Sequence, residues 1–467
     1  MLTETSALLR QRLALDPQRP RYHFLPPSNW MNDPNGFIQW QGQWHLFYQH
    51  NPYSPLWGKM HWGHAVSSDL IHWSDLPLAL TPTIGSADEA GCYSGCTVDN
   101  NGIPTIMYTG TRGAHNEIQT QCLASSHDGL LTWQKYVHNP VLSDVPPEAG
   151  QTQDFRDPFV WCEGDTWYML LGSRIHNVGG AIFLYRSKNL IDWEYLHPLL
   201  IGDSKRNGIV WECPNFFKLS EDRWVLIVSA YTAEHINVVY YFVGSYAEQR
   251  FTVISEGILD YGQLYAPLTA VDDQDRRVLI GWLREARSNE SMEAAGWSGV
   301  QSIPRVLSLD PENRLCMSPI NLDSIRGRHH HLEAQAVDQR IPLELRGLAL
   351  DIEAVFEQQA LGCCGLALAC TEDGSEYLSI FYDVPAQRLM VRYADQERKA
   401  TVSLAPQERL QLRILLDGSV AEIIVNERIS LSARLYPSSA GSHGVQIIGQ
   451  GAYLHSLDIW EMASIWG

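Results

Sequence analysis

Apolar and polar residues over the first three hundred positions fall into short blocks, not long amphipathic runs. WHLFYQ (44–49), TIMYTG (105–110), WYMLLGS (167–173), WVLIVSA (224–230) and VLIGWL (278–283) are β-branched or aromatic and are bounded by turns such as Gln41-Gly42, Asn101-Gly102 and Glu163-Gly164. Helical periodicity is almost absent, so the blocks predict strands. They also recur: SSDLIHW (67–73) returns as SHDGLLTW (126–133), as SKNLIDW (187–193) and, more faintly, as SYAEQRF (245–251). Trp73, Trp133, Trp193 and Phe251 therefore end units about sixty residues apart, a spacing that signals a repeat architecture. Five such units predict an all-β chain that begins with a five-bladed β-propeller, a ring that leaves few exposed strand edges. The recurring tryptophans are expected to be the apolar plugs of the blades.

Past about Arg340 the pattern changes to strict alternation, in LELRGLALDIEAVF, YLSIFYD, RLMVRYA, LQLRILLDGSVAEIIVN and LHSLDIW. Period two predicts half-buried antiparallel strands, and hence a β-sandwich over 340–467 after a propeller over 23–323. The polar segment 324–339, with RGRHHHLE, is expected to be a linker between them. Its histidines are expected to be solvated and not metal ligands, because successive residues point apart. At the N-terminus, residues 1–22 predict a short amphipathic helical extension started by Thr5 or Ser6. Arg10 and Arg12 interrupt its apolar positions Leu8, Leu9 and Leu13, which leaves no signal-peptide core. No apolar run approaches the ~20 residues a membrane-spanning helix needs.

Composition narrows the function. The 467 residues carry a net charge of −19, which argues against nucleic acid or an anionic membrane as partner. Nine cysteines without a CxxC pair or zinc spacing read as reduced thiols in a cytoplasmic protein. Sixteen Trp and twenty Tyr supply flat surfaces suited to sugar rings as well as core.

Carboxylates recur before strands of successive units. Asp33 stands in WMNDPNG, Asp157 in FRDPFVW, Glu212 in WECPNFF and Asp260 in LDYGQLY, while the second unit offers Tyr93 and Ser94 in CYSGC. Inner strands of a propeller line its channel, so these residues are expected to share one pocket. Two carboxylates across a pocket suit cleavage of a glycosidic bond, one attacking the anomeric carbon and the other protonating the leaving oxygen. Amide donors in its turn would keep Asp33 ionised, and burial beside Trp211 and Pro214 and near other carboxylates would keep a proton on Glu212. Asp157, next to Arg156, suits gripping hydroxyls. Cys213 lacks a recognisable histidine base and is expected to be a packing thiol.

WMNDPNG, FRDP and WEC, in this order and with YHFLPPSNW, LFYQHNP, CYSG, YTG, DYGQLYAP and SIPR around them, resemble the signature blocks of glycoside hydrolase family 32, the β-fructofuranosidases. The resemblance covers nearly the whole chain. It implies a five-bladed propeller joined to a β-sandwich and a retaining mechanism through a covalent fructosyl-enzyme, with no cofactor. It implies that Asp33 is the nucleophile, Glu212 the acid/base and Asp157 the transition-state stabiliser. Asn32, Gln49, Trp57, Ser94 and Arg156 match the fructosyl pocket; Trp30, Tyr93 and Trp282 are further candidates for its walls, and Asp260 for a substrate contact or a strand-end turn. The chain departs from the family pattern at Asn215, where Asp is usual, at Tyr93, where Phe or Trp is common, and at Gln263, where some plant invertases carry Lys. The expected activity is hydrolysis of sucrose; sucrose 6-phosphate or short fructo-oligosaccharides stay open as substrates, with Lys59 and Arg112 the isolated candidates for holding a phosphate. Fructosyl transfer and sugar binding without turnover are the other readings. Any contact between copies of the chain is assigned to the sandwich.

Overall fold

The computed structural model describes residues 6–149, 151–232, 237–357 and 362–466. Five antiparallel sheets follow one another along the chain and form the blades of a propeller. Their first strands, which line the axis, are Asn29–Trp40, Gly91–Asn100, Arg156–Glu163, Val210–Ser220 and Leu264–Val271. The short strand Trp297–Ser298 from the fifth unit pairs in parallel with the first, through Asn29↔Trp297 and Trp30↔Ser298, and closes the ring.

The sequence repeat is the connection between the third and fourth strands of a blade. In three blades a serine hydroxyl accepts the amide of a leucine held in the left-handed region: Ser67 from Leu70 at 2.9 Å, Ser126 from Leu130 at 3.0 Å and Ser187 from Leu190 at 3.1 Å, with leucine φ of 67°, 67° and 65°. The tryptophan that ends the motif closes the turn, Trp73 and Trp193 donating their indole N–H to Leu70 and Leu190 carbonyls. Trp73 is buried and Trp133 and Trp193 pack against apolar clusters, so the plug reading holds. The fainter fourth copy is a tight hairpin at Glu248 and Gln249, whose left-handed backbone replaces the serine cap.

Two sheets of the C-terminal part stack face to face on a second core built around Leu350, Ile352, Leu366, Ile380, Leu412, Ile414, Ile423 and Ile459. The segment 324–339, expected to be a linker, belongs to this sandwich: Arg326–Leu332 and Gln335–Val337 both pair with Ala452–Met462. Its polar composition is that of an edge strand, where one side meets water and charge discourages pairing with another chain.

Propeller and sandwich meet over charged and hydroxyl groups buried together. Asp417 accepts the amides of Arg21, Tyr22 and His23 at 2.7, 2.8 and 2.9 Å, and His23 bridges Asp417 and Glu422, each 2.9 Å from one ring nitrogen. Glu422 also takes the Ile303 amide at 2.7 Å and the Arg305 guanidinium. The N-terminal helix spans Ser6–Leu13, and Thr5 lies outside the described residues. No residue of that helix is buried; it is held by Arg10, which reaches Asp75 at 2.8 and 2.6 Å and lies over Trp466. Of the expected apolar positions Leu13 packs against the propeller core, so the helix is attached by one apolar side chain as well as by charge.

Candidate active site

Each inner strand loses register with its neighbour at one equivalent place. The interruptions fall at Asp33, between Met31 and Pro34; at Tyr93-Ser94; at Asp157-Pro158; at Cys213-Pro214; and at Ala266-Pro267. The unpaired residues are thus Asn32-Asp33, Tyr93-Ser94, Asp157-Pro158, Cys213-Pro214 and Ala266-Pro267, and in the last three blades the residue paired just before them is Arg156, Glu212 or Tyr265. Each bulge interrupts the ladder, which resumes beyond it, and turns side chains out of the sheet, here toward the axis; a proline, which has no amide to donate, sits in or next to the bulge in every blade but the second. Asp157, Cys213 and Ala266 carry φ of 62°, 48° and 46°, strain of the kind that gathers at functional sites. Hydroxyls of neighbouring blades steady two of these peptides: the Asp157 amide donates to Thr109 at 3.0 Å and the Ala266 amide to Ser229 at 2.9 Å.

The outcome is a cavity of about 400 Å³, of a size used for small molecules, lined by Trp30, Asn32, Asp33, Gln49, Trp57, Tyr93, Ser94, Arg156, Asp157, Glu212 and Trp282 from the sequence reading. Asp260 is not there. Its carboxylate accepts from Ser430 and Ser432 hydroxyls at 2.6 and 2.7 Å and ties the propeller to the sandwich, so the substrate-contact expectation is corrected to a structural one. Tyr265 takes the place assigned to it in the fifth blade; the echo of Tyr-Ala-Pro with Arg-Asp-Pro was the available signal. Asp154, Gln119, His115, Asn116, Gln153, Tyr231 and Asn237 complete the described lining.

Asp33 accepts from the Ser94 hydroxyl at 2.8 Å and from the Asn32 amide at 3.0 Å, and Asn32 is itself held by the Trp30 indole N–H at 2.7 Å. Burial nevertheless outweighs these donors and, with help from Glu212, pushes the Asp33 carboxyl up to about 6. Burial likewise pushes Asp157 up to about 7; Arg156 opposes this, while Glu212 and Asp33 add to it. Glu212 is not in the apolar surroundings expected of it. Arg156 holds one of its oxygens at 2.6 and 3.2 Å, and the Tyr265 hydroxyl donates to the other. Arg156 is 3.9 Å from Asp157 and spends its remaining amine on Asp154 at 2.9 Å and Gln119 at 3.1 Å. Cys213 is more than packing: its thiol sits 3.7 Å from Asp33 and 3.5 Å from Asp157, and its amide donates to Asp157 at 3.0 Å. Burial and these carboxylates hold the thiol well above its usual range, which disfavours the thiolate form.

Asn215 answers the question its identity raised. Fully buried, its amide donates to the Cys213 and Pro267 carbonyls at 3.1 and 2.8 Å, and its oxygen accepts the Thr269 amide at 2.8 Å. It joins the bulges of the fourth and fifth blades without touching Glu212. At the rim, Trp57 is 52% exposed and lies edge-on to Tyr93, while Trp30 and Trp282 meet edge to face at 5.9 Å as a wall.

Residues 23–319 match the family described as Glycosyl hydrolases family 32 N-terminal domain, and residues 321–461 match Glycosyl hydrolases family 32 C terminal. The chain belongs to glycosyl hydrolases family 32. Its similarity to other members runs nearly end to end: it is 34% identical to the sucrose-6-phosphate hydrolase of Zymomonas mobilis over 97% of this chain and 94% of that one. It is 33% identical to the raffinose invertase of Escherichia coli, over 92% and 94%. The fructan 1-exohydrolase IIa structure from Cichorium intybus superposes with a TM-score of 0.86 at 27% identity, covering 96% of this chain and 98% of that one. In this family 32 chain the propeller and sandwich follow the order those structures display.

Proposed function

We propose that the protein hydrolyses the β-fructofuranosidic bond of sucrose with retention, through a covalent fructosyl-enzyme. The observation that carries this reading is the convergence of Asp33, Asp157 and Glu212 from three blades on one small pocket with an aromatic wall. Asp33 attacks the anomeric carbon, Glu212 protonates the departing oxygen and then draws the proton from water, and Asp157 holds fructosyl hydroxyls. In the free pocket the Arg156 guanidinium holds Glu212 by hydrogen bonds, and the raised carboxyls of Asp33 and Asp157 keep protons nearby. Sugar hydroxyls that engage Arg156 and Asp157 loosen this hold, so Glu212 can take the proton that Asp33 gives up.

Electrostatics favour an uncharged leaving group. Among the described lining residues Asp33, Asp154, Asp157 and Glu212 face one guanidinium, and Arg156 is already committed to Glu212, Asp154 and Gln119. Lys59 and Arg112 do not line the cavity. A phosphate dianion would find no spare cation there. Phosphorylated sucrose is the second reading, favoured by the name of the Zymomonas mobilis relative. All nine cysteines are unpaired, which supports a reducing, cytoplasmic compartment.

The test is kcat/KM for sucrose, sucrose 6-phosphate and 1-kestose with the purified protein, together with NMR of the first fructose anomer released. Preference for sucrose with the β-furanose appearing first is expected; an inverted anomer would sink the retaining mechanism. Asp33→Ala and Glu212→Ala should each lower turnover by about three or more orders of magnitude with the fold intact, since each removes a half-reaction.

A further inference from the structure

The triplet His329-His330-His331 lies on the edge strand Arg326–Leu332, away from the sugar pocket. Strand pleating sends His330 to one face and brings His329 and His331 together on the other. The pairing register His331↔Asp458 and His329↔Trp460 adds a carboxylate on that face. His329 Nε2 and His331 Nδ1 both contact Asp458 Oδ1, at 2.8 and 2.7 Å, and the three donor atoms lie within 4.8 Å of one another. A dication bound through nitrogen and oxygen at 2.0–2.2 Å needs donors only a few tenths of an ångström further apart than these contacts.

Neighbouring groups fix the arrangement. Trp460 stacks on His329 with centroids 4.6 Å apart and planes 9° from parallel, and Arg326 lies 3.7 Å over Trp460. The second nitrogen of His331 faces Glu333 at 3.5 Å, the kind of carboxylate partner that sets the tautomer of a ligating imidazole. Glu353, the register partner of Asp458 on the next strand, is taken by Arg326 and Arg413 and does not compete. Side-chain exposures of 45%, 43% and 25% leave the donors open to solvent on one side.

We propose that His329 Nε2, His331 Nδ1 and Asp458 Oδ1 form a binding site for a borderline divalent transition metal such as Zn²⁺ or Ni²⁺, with water completing its coordination. Two imidazoles and one carboxylate suit such ions and not Mg²⁺ or Ca²⁺, which prefer all-oxygen sites. The bound ion replaces the hydrogen bonds to Asp458 and pins the edge strand to its neighbour. Both imidazoles must be neutral to ligate.

The experiment uses the full chain without a polyhistidine tag, stripped with chelator and titrated with Zn²⁺ by calorimetry and with Co²⁺ by visible absorption. One saturable site per chain in the micromolar range is expected, unmoved by millimolar Mg²⁺. His331→Ala and Asp458→Asn should each weaken it at least tenfold, His329→Gln likewise, and His330→Ala should not. Zn²⁺ should also raise the Tm of the parent protein and not of His331→Ala. Absence of saturable binding, or parent-like binding by His331→Ala and Asp458→Asn, overturns the proposal.

Discussion

Ser94 donates to Asp33 at 2.8 Å and opposes the burial that pushes this carboxyl up to about 6. Removing the hydroxyl in Ser94→Ala should therefore raise the Asp33 pKa further and move the acidic limb of kcat/KM to higher pH by about half a unit or more. A pH-rate profile with an unmoved limb would detach that limb from Asp33. The same carboxyl costs stability. Its folded value of about 6 exceeds the ordinary unfolded value near 4, so the native state binds more protons between these pH values and stability falls as pH rises through them. Asp33→Asn should thus be inactive yet more stable at pH 7, on the order of 1–2 kcal/mol, as read from urea midpoints. Which acids matter was legible in the sequence because each sits beside a turn-forming proline or in a block of unusual composition. Their protonation balance was not: Arg156 adjoins Asp157 in sequence, yet its guanidinium lies on Glu212, a pairing set by the angle between blades.

At the level of strands, the repeat in SSDLIHW correctly marked blades, because a serine-capped leucine turn needs the same few residues wherever it occurs. The acids do not follow the same equivalence. By pairing register Glu212 is equivalent to Arg156 and Tyr265, whereas Asp33 lies two places further on, inside the bulge of its own blade, and Asp260 ends the strand before the fifth inner one; only strand register reveals these offsets. Bulges also explain a demand for small residues behind the pocket. A Cβ on Gly172 would meet the Trp211 carbonyl at 2.5 Å and the Glu212 Cα at 3.1 Å, both backbone atoms that cannot step aside. Gly172→Ala should shift the Glu212 strand, costing about 1–3 kcal/mol and lowering kcat more than it raises KM. Parallel denaturation and kinetic measurements on this variant separate the two effects. Polar edge strands such as Arg326–Leu332 are the converse case, where composition suggests linker and only pairing reveals a sheet.

For the molecule as a whole, buried ionisable groups gather where propeller and sandwich meet and tie its stability to pH. Contacts with Asp417 and Glu422 outweigh the burial of His23 and raise its pKa to about 9, while Arg305 and His23 hold Glu422 down to about 2. For His23 the folded value exceeds the unfolded 6.5, so its contribution is fully present below that pH and lost as pH rises through about 9. His23→Ala, which strands two buried carboxylates, should cost about 3–5 kcal/mol at pH 7. Urea midpoints compared at pH 7 and pH 9.5 should fall steeply for the parent and stay nearly flat for the variant. Asp417 also takes three consecutive amides from a segment that lies 394 residues earlier, and it does so with one side chain. A ribosome delivers residues 21 to 23 at least 394 residues before their acceptor, so these three amides wait for it while the whole propeller is made. The ring can close once Trp297–Ser298 has emerged, whereas its seam with the sandwich is completed only when Asp417 follows, and chains cut short before Asp417 would leave the synthetic machinery with that seam unmade.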